Sequence, residues 1–326
     1  MTRVALDAMG SDHDPGVLVA GATAAGQDGV DVILVGDSDV LTPLVAEYGC
    51  TAEIVHAADV ITMAENPGRA VRDKRNASIV VACRLVAEGK AQGLVSAGST
   101  GASLTAAVLE LGRIEGVLRP AIAAIIPTTD RGGVLLDAGA NPECKPEHLF
   151  QFAAMGVALA RARLNIDNPT VGLLNNGSEE GKGRAIDKTV YALLKDSDLN
   201  FVGNVEGRDL LMGTADVIVT DGFTGNAVLK SSEATAERLV DLVRLGLSDT
   251  LSDHPELAQH ILPPLVAVRN RMNPDRYGGA SLLGVDGVVT IAHGTANAEA
   301  IASALRMTYE VAGLGLVDSI RASVSS

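Results

Sequence analysis

The sequence contains no tryptophan, and its aromatic residues amount to 2% of the chain. Proteins that bind single-stranded nucleic acid stack the bases on exposed aromatic rings, so this chain lacks the residues for such a surface. Its core must be built from Val, Ile, Leu and Ala, a composition that suits parallel strands covered by helices. At 326 residues the chain is long enough for a single α/β domain, 1–326, which could comprise two lobes.

Basic residues are also scarce. Lys and Arg number 26 against 40 Asp and Glu, which gives a net charge of −14. An acidic chain is a poor general binder of DNA, RNA or anionic lipid, so we expect no nucleic-acid partner. The main basic cluster is usually interpreted as a solvated helix face, and its alternative is a docking surface for an acidic partner. It consists of Arg69, Arg72, Lys74 and Arg75.

Cysteine is rare, with Cys50, Cys83 and Cys144 far apart in the sequence. Because there is no CxxC pair and no HxxxH pair, neither a disulfide framework nor a metal site is indicated. Three isolated thiols are typical of a reducing compartment. No secretory signal precedes the first strand, and the apolar runs are too short to span a bilayer. We therefore expect a cytoplasmic protein.

What the sequence does contain is a repeated pattern in which an apolar strand stops in a small polar loop. The clearest example is 216–226 (DVIVTDGFTGN), which a helical stretch follows. Open α/β sheets bind ligands at the carboxyl ends of parallel strands, where glycine and a helix N-terminus favour anions. We therefore expect several such loops to converge on one rim. The others lie at 4–10, 94–101, 134–141, 171–177 and 289–294.

The alternation of strand and helix patterns predicts a mixed, mostly parallel sheet with helices on both faces. Segments 121–126 and 133–137 flank a turn sequence, so they predict an antiparallel hairpin. Strands are predicted at 3–7, 31–35, 52–56, 93–96, 121–126, 133–137, 170–174, 200–204, 216–220 and 288–292. Helices are predicted at 15–26, 77–88, 102–111, 146–163, 184–194 and 295–311, among others.

Region 233–276 predicts a helical hairpin inserted into the α/β frame, broken at Pro263 and Pro264. Its apolar residues recur at near-helical spacing. The first interpretation is a dimer contact, and the second is a surface for a partner or a membrane.

Standard nucleotide and hydrolase motifs are missing. There is no GxGxxG after the first strand and no GxSxG, while 177–183 (GSEEGKG) is one residue too short for a P-loop. What remains is chemistry that needs no protein nucleophile. If the loops bind inorganic phosphate, a phosphate oxygen can itself attack an activated acyl carbon while the protein stabilises the oxyanion. Lys182 and Asn226 are suitable residue types, although a lysine there is usually exposed and an asparagine after glycine usually forms a turn.

Eight segments in order carry a resemblance to a known family. They are 7–13 (DAMGSDH), 70–75 (AVRDKR), 94–102 (LVSAGSTGA), 136–141 (LDAGAN), 145–149 (KPEHL), 171–183, 220–226 (TDGFTGN) and 277–281 (YGGAS). No single segment is decisive, but the series resembles the PlsX-type phosphate acyltransferases of bacterial phospholipid synthesis. The resemblance covers nearly the whole chain.

This resemblance implies an activity, a fold and partners. The activity is reversible transfer of a fatty acyl group from acyl-[acyl carrier protein] to inorganic phosphate, without ATP or a cofactor. The fold is a three-layer α/β/α sandwich similar to the isocitrate and isopropylmalate dehydrogenases, in a homodimer. The acyl phosphate product would pass to a membrane acyltransferase that acylates glycerol 3-phosphate.

The resemblance also implies site residues. By motif position Lys182 and Asn226 are expected to be catalytic, with Lys182 orienting phosphate and Asn226 binding the oxyanion or the phosphate. His293 could pass a proton to the leaving thiolate, although a loop histidine is more often structural. The residues expected to line the phosphate and substrate site are Gly10, Asp12, His13, Ser96, Gly98, Ser99, Thr100, Asn141, Asn176, Gly222, Thr224, Gly225 and His293.

The acyl carrier protein is acidic, so docking on this acidic chain requires a local basic surface. The first candidate is the cluster of Arg69, Arg72, Lys74 and Arg75, and the second is Arg269, Arg271 and Arg276.

Members of the family are thought to rest on the inner face of the membrane through the inserted hairpin. Here that segment carries Asp249, Asp253, His254 and Glu256, which argues against electrostatic attachment to anionic lipid.

Two alternative functions stay open. One is a phosphotransacetylase-like enzyme that uses acyl-CoA, and the other is a non-catalytic regulatory module that binds phosphate or an acyl group.

Overall fold

The structure, a computed structural model, describes residues 2–128, 132–272 and 277–324, and the side chains of 269–272 are not described. Eleven strands in these ranges form one sheet in the order β3-β2-β1-β4-β11-β10-β5-β6-β9-β7-β8. They are β1 Arg3–Asp7, β2 Asp31–Gly36, β3 Glu53–His56, β4 Gly93–Ser96, β5 Ala121–Ile126, β6 Gly133–Leu136, β7 Thr170–Asn175, β8 Asn200–Glu206, β9 Val217–Val219, β10 Ala280–Leu283 and β11 Val288–Ile291.

Twelve helices within the described ranges connect and cover these strands. They are α1 Pro15–Gln27, α2 Ser38–Glu47, α3 Pro67–Asp73, α4 Ser78–Ala87, α5 Thr100–Glu110, α6 Pro146–Leu164, α7 Ala185–Lys195, α8 Gly222–Gly246, α9 Ser248–Asp253, α10 Ala258–Met272, α11 Ala298–Gly313 and α12 Leu316–Val324. Short 3₁₀ turns lie at Gly207–Asp209 and Pro255–Leu257.

Alternate strand residues pack into different helical layers. Ala5 and Ile33 belong to a buried cluster with α4 and α5, whereas Val4, Leu6 and Leu34 pack in another with α1 and α11. Because successive side chains of a strand point to opposite faces, this split places helices on both sides of the sheet. The predicted fold class, a mostly parallel mixed sheet between two helical layers, is therefore confirmed.

The strands run in two opposing sets. β1, β2, β3, β4 and β11 are mutually parallel, and so are β6, β9, β7 and β8. Between them β10 is antiparallel to β11 and β5, and β5 is antiparallel to β6. The carboxyl ends of the two sets thus lie at opposite edges of the sheet. The six glycine loops therefore divide between two rims, with three loops on each, rather than converging on one.

The ten predicted strands are all present, and β5 with β6 forms the predicted antiparallel pair. Strand β10 was not predicted, because its four residues (ASLL) show no alternation and follow two glycines. The predicted break at Pro263 and Pro264 is wrong, since α10 runs through both prolines. The carbonyl groups that lose a donor belong to Gln259 and His260, which are exposed and can bond water.

The region predicted as an inserted hairpin contains the second half of α8, then α9 and α10. Its first helix begins earlier than predicted, at Gly222, and continues without interruption to Gly246. The last four residues of the predicted hairpin, 273–276, lie outside the described residues. Its assignment as a separate unit stays a prediction.

In the described part of the chain, no helix is by itself long and apolar enough to cross a membrane. Helices α11 and α12 reach that length and composition only as a pair, with a bend of 58° between them.

Candidate active site

A cavity of about 390 Å³ lies beside the central strands β5 and β10. Loops from both edges of the sheet reach it. Gly98, Thr100 and His293 come from the first set of strands, and Gly139 and Asn226 come from the second. The opposing strand sets therefore meet at a cleft rather than at a rim.

Helix α8 closes one side of this cavity with a single face. Asn226, Leu229, Lys230 and Glu233 all line the cavity, and their spacing of three, four and seven residues places them on adjacent turns. Of these, sequence reasoning identified Asn226 alone. The other three could have been found by continuing the helical period from Asn226.

The loop after β6 is organised by the buried carboxylate of Asp137. This carboxylate accepts hydrogen bonds from the backbone N–H groups of Ile122 at 3.0 Å, Gly139 at 3.1 Å, Ala140 at 3.0 Å and Asn141 at 2.7 Å. The Asn141 side-chain amide also donates to Asp137, at 2.8 Å, and to the Pro120 carbonyl, at 2.8 Å. The Asn141 amide thus fixes the loop.

The start of α8 packs directly on that loop. The Gly222 N–H donates to the Asn141 carbonyl oxygen at 2.8 Å. A Cβ at Gly225 would overlap the Asp137 carbonyl oxygen, so residue 225 must be glycine. A Cβ at Gly139 would lie 3.6 Å from the Asn226 Oδ1 atom. Asn226 therefore lies in contact with the Asp137 loop, and the close approach of the two segments leaves no room for a side chain at residue 225.

Asp221 caps the N-terminus of α8. Its carboxylate accepts from the Thr224 N–H at 2.8 Å and the Thr224 hydroxyl at 3.1 Å. It also pairs with Arg184 at 2.7 Å, and Arg184 bonds Asp187 at 2.9 Å. Burial opposes ionisation, but the bonds from Thr224 and Arg184 outweigh it and hold the pKa of Asp221 below its usual range. Arg184 thereby ties the loop bearing Lys182 to the start of α8.

Lys182 is exposed, and its Nζ lies 3.7 Å from the Glu179 Oε1 atom. It is not among the described residues that line the cavity, whereas Asn226 is. Asn176, in the same loop, is also exposed and donates its N–H to the Asn175 side chain. The structure thus places Lys182 in the loop between β7 and α7 and Asn226 near the start of α8, and of the two only Asn226 lies in the cavity wall.

The loops after β1 and β4 pack tightly together. The buried Ser96 hydroxyl donates to Asp7 at 2.7 Å and accepts from the Gly98 N–H at 3.1 Å. A Cβ at Gly10 would lie 3.0 Å from the Gly98 Cα atom. Burial raises the pKa of Asp7, against the effect of the hydrogen bonds it accepts. Ser96 therefore helps to hold Gly98, which lines the cavity, in position.

Helix α5 presents its N-terminus to the cavity. Ser99 is its N-cap and accepts from the Ala102 N–H at 3.4 Å, while Gly98 and Thr100 on either side of Ser99 line the cavity. The N-terminus of a helix carries partial positive charge and free N–H groups, so this wall favours an anion.

The loops after β1 and β11 are joined at the cavity rim. The Asp12 N–H donates to the Gly294 carbonyl at 3.0 Å, and His13 Nε2 bonds the Thr295 carbonyl at 3.0 Å. Asp12 and His13 are exposed. His293 lines the cavity itself, and its Nε2 lies 3.9 Å from the Glu233 Oε1 atom.

Cys83 and Cys144 are poor nucleophiles. Burial raises the pKa of the Cys83 thiol far above its usual range. Burial, with the negative charges of Asp137 and Asp221, raises the pKa of Cys144 to about 11. A nucleophilic cysteine needs a lowered pKa. Among the described residues, no three His, Cys, Asp or Glu side chains group to hold a metal ion.

The predicted docking cluster is mostly paired with acids. Arg69 bonds Asp73 at 3.2 Å, Lys74 bonds Glu65 at 2.8 Å, and Arg75 bonds Glu110. Arg72 is exposed and has no ion pair among the described residues. The second candidate group lies outside the description, because Arg276 and the side chains of Arg269 and Arg271 are not described.

The chain matches the model of a protein family described as "Fatty acid synthesis protein" over residues 2–318. It is 46% identical over 332 residues to a phosphate acyltransferase of Desulforamulus reducens, covering 100% of this chain and 98% of that protein. It is 48% identical over 314 residues to a phosphate acyltransferase of Heliobacterium modesticaldum, covering 94% and 93%.

Solved structures share the fold at low identity. A phosphotransacetylase from Streptococcus pyogenes aligns with a TM-score of 0.60 at 17% identity, covering 100% of this chain and 94% of that one. A 4-hydroxythreonine-4-phosphate dehydrogenase from Klebsiella pneumoniae aligns with a TM-score of 0.55 at 12% identity, covering 96% and 100%. These likenesses bear on the fold alone.

Replacing Gly225 by alanine should destabilise the protein, because the added Cβ would overlap the Asp137 carbonyl oxygen. We expect a loss of about 1–3 kcal/mol in the free energy of unfolding, measured by urea denaturation. Gly246→Ala, on the same helix, is the matched control because its Cβ would meet nothing within 4 Å. Equal stability of the two variants would contradict the packing described for the start of α8.

Replacing Asp221 by alanine removes the α8 cap and one partner of Arg184. We expect the free energy of unfolding to fall by about 1–2 kcal/mol at pH 7. It should fall by less in Asp37→Ala, which removes only the side chain that caps α2. The pKa of Asp221 is depressed in the folded protein, so its contribution is present above about pH 4 and is lost as pH falls through the folded pKa.

The difference in the free energy of unfolding between the wild type and Asp221→Ala should therefore be constant from about pH 7 to 5. It should become smaller below about pH 4. Chemical denaturation at each pH measures it. A gap that widens in acid would contradict the ionised, hydrogen-bonded state of Asp221.

Proposed function

This chain belongs to the phosphate acyltransferase family of fatty acid synthesis proteins, and we propose that it moves a fatty acyl group from acyl-[acyl carrier protein] to inorganic phosphate. The membership confirms the resemblance found in the sequence and the assignment as an acyltransferase. What we propose beyond this membership is that the acyl donor is attached to acyl carrier protein. The acyl phosphate would serve phospholipid synthesis through a membrane acyltransferase that acylates glycerol 3-phosphate.

The observation that carries the proposal is the mixed lining of the cavity. The positive end of α5 and the amide of Asn226 suit phosphate. Apolar residues of the same lining, among them Ile122, Leu229 and Ile291, suit an acyl chain. A phosphate and an acyl carbon can therefore be held next to each other in one site.

In the proposed reaction a phosphate oxygen attacks the thioester carbonyl carbon, and the carbon–sulfur bond breaks as the oxyanion collapses. The protein supplies position and charge stabilisation rather than a nucleophile. The Asn226 amide donates a hydrogen bond to the oxyanion or to phosphate. Because a thioester and an acyl phosphate are both activated acyl groups, the exchange requires no ATP.

Lys182 has a proposed role in binding phosphate. The lysine is exposed and its ammonium group faces Glu179, so it is available to pair with phosphate as a point charge. Arg184, two residues on, holds the loop to the start of α8 through Asp221. We assign Lys182 to charge neutralisation when substrate is bound.

The carrier would dock near α3. Arg72 is exposed without an ion pair in the described part of the chain, whereas its basic neighbours are partly neutralised by Asp73, Glu65 and Glu110. Within the cluster, Arg72 is therefore the residue that can form a new ion pair with an acidic partner without first breaking an existing one.

An apolar surface supports the homodimer. Leucines of α8 and apolar residues of α10 are exposed. Such exposed apolar patches mark contact sites between proteins. The exposed residues include Leu239, Leu242, Leu245, Leu262 and Val266.

Replacing Asn226 by alanine should lower kcat for phosphate-dependent thioester cleavage by about 10²–10³, the effect of losing one oxyanion donor. Lys182→Ala should raise KM for phosphate and lower kcat. The assay incubates acyl-[acyl carrier protein] with phosphate and traps the acyl phosphate as hydroxamate. Lys188→Ala, an exposed lysine on α7, is the matched control and should retain full activity.

The same assay separates the alternatives. Activity with acetyl-CoA but not with the long-chain carrier thioester would indicate a phosphotransacetylase-like enzyme. Absence of any phosphate-dependent thioester loss in the wild type would indicate the binding module. Undiminished activity in both Asn226→Ala and Lys182→Ala would show that the proposed site is wrong.

Reversing the charge of Arg72 to glutamate should raise KM for the acyl carrier about 5- to 50-fold and weaken the salt dependence of kcat/KM, since a rim charge acts mainly on association. KM for phosphate should not change. Lys90→Glu, in the exposed loop after α4, is the control. An unchanged carrier KM in Arg72→Glu would remove the α3 surface from consideration.

A further inference from the structure

Glu233 stands out among the residues that line the cavity. Its Oε2 atom accepts a hydrogen bond from Lys230 at 2.7 Å, but its Oε1 atom is buried and has no hydrogen-bond partner among the described residues. A buried carboxylate oxygen without a donor is unfavourable by about 1–3 kcal/mol or more. The Nε2 atom of His293 lies 3.9 Å from that oxygen.

An ordinary salt bridge on a helix surface does not account for this arrangement. The Lys230 side chain is half exposed, whereas Glu233 is 17% exposed and directs one oxygen toward the loop after β11. The charged groups around His293 come from two elements. Glu233 and Lys230 belong to α8, and Asp12 in the loop after β1 contacts Gly294.

We infer that Glu233 is a positioning residue for His293, which relays the proton of the transfer reaction. Glu233 accepts the Nε2–H of the ring and so leaves Nδ1 as the nitrogen that exchanges a proton with the reacting groups. The 3.9 Å separation shortens to a hydrogen bond when substrate fills the cavity, as acid–base contacts often tighten only in the substrate complex. This inference rests on the proposed function.

The proton balance of the step is complete. An oxygen of monohydrogen phosphate bonds to the acyl carbon, and the carbon–sulfur bond breaks. The phosphate proton passes to His293 Nδ1 and from there to the departing sulfur. The products are acyl phosphate and free thiol, with the imidazole returned to its starting state. In the reverse direction His293 takes the thiol proton first.

The test compares two thioesters in the intact protein. An alkyl thioester, acyl-pantetheine, has a basic leaving group that needs a proton, whereas an aryl thioester leaves as a weakly basic thiolate that does not. Glu233→Gln should lower kcat for the alkyl thioester about 10- to 100-fold, within the range of a general acid–base contribution. It should change the aryl rate and KM for phosphate by less than about threefold, and Glu233→Asp should recover part of the loss.

The energetic coupling between Glu233 and His293 provides a second test. Because Glu233 acts through His293, the double variant Glu233→Gln with His293→Gln should be no slower than His293→Gln alone. Glu237→Gln, one turn further along α8 and exposed, is the control and should match the wild type. Thermal melts of each variant establish that it is folded.

The inference is overturned if Glu233→Gln slows both thioesters equally, or if the two substitutions are additive. It is also overturned, together with the proposed function, if the wild type transfers no acyl group to phosphate. Phosphate-dependent transfer by the wild type with equal loss on both thioesters would reject the role of Glu233 alone.

Discussion

The candidate site depends on one buried carboxylate. Asp137 is fully buried and gathers four backbone N–H groups and the Asn141 amide, so the loop after β6 has a single arrangement. The start of α8 then rests on that loop through Gly222 and Gly225. Every α8 residue in the cavity wall, from Asn226 to Glu233, takes its position from this contact. A buried anion that is fully hydrogen-bonded is well suited to fix a loop in this way.

The reversal of strand direction explains why the cavity has two unlike walls. One strand set delivers the N-terminus of α5 and His293, and the other delivers Gly139 and α8. Had all the strands been parallel, these groups would have stood side by side along one edge. Their opposition instead leaves room for two reactants between them. The acidic chain can still bind an anion there, because the local field comes from a helix end rather than from net charge.

Much of the fold could be predicted from the sequence, because buried strands and their glycine-rich ends leave a strong local pattern. Strand β10 was not predicted because its four residues show no alternation of apolar and polar side chains. The antiparallel β5–β6 pair was predicted, but the opposite direction of the two strand sets was not, since that direction is set by pairing between distant segments. Among the site residues, Asn226 was predicted from its motif, and the structure places it in the cavity wall.

Side-chain roles were harder to predict than positions. Ser96 and Asn141 have polar side chains that could bind a substrate. Their hydrogen bonds are instead made to Asp7 and Asp137. Glu233 carries no motif, and its place opposite His293 arises only once α8 is docked. In each case the deciding contact joins residues that are far apart in the chain.

The central claim is that phosphate and the acyl thioester meet in the cavity between α5 and α8. A crystal structure of the protein with inorganic phosphate and a thioether analogue of acyl-pantetheine tests it most directly. Phosphate should lie within hydrogen-bond reach of the Asn226 amide and the first turn of α5, with the sulfur toward His293. Phosphate bound elsewhere, with the analogue chain or solvent alone beside Asn226, would contradict it.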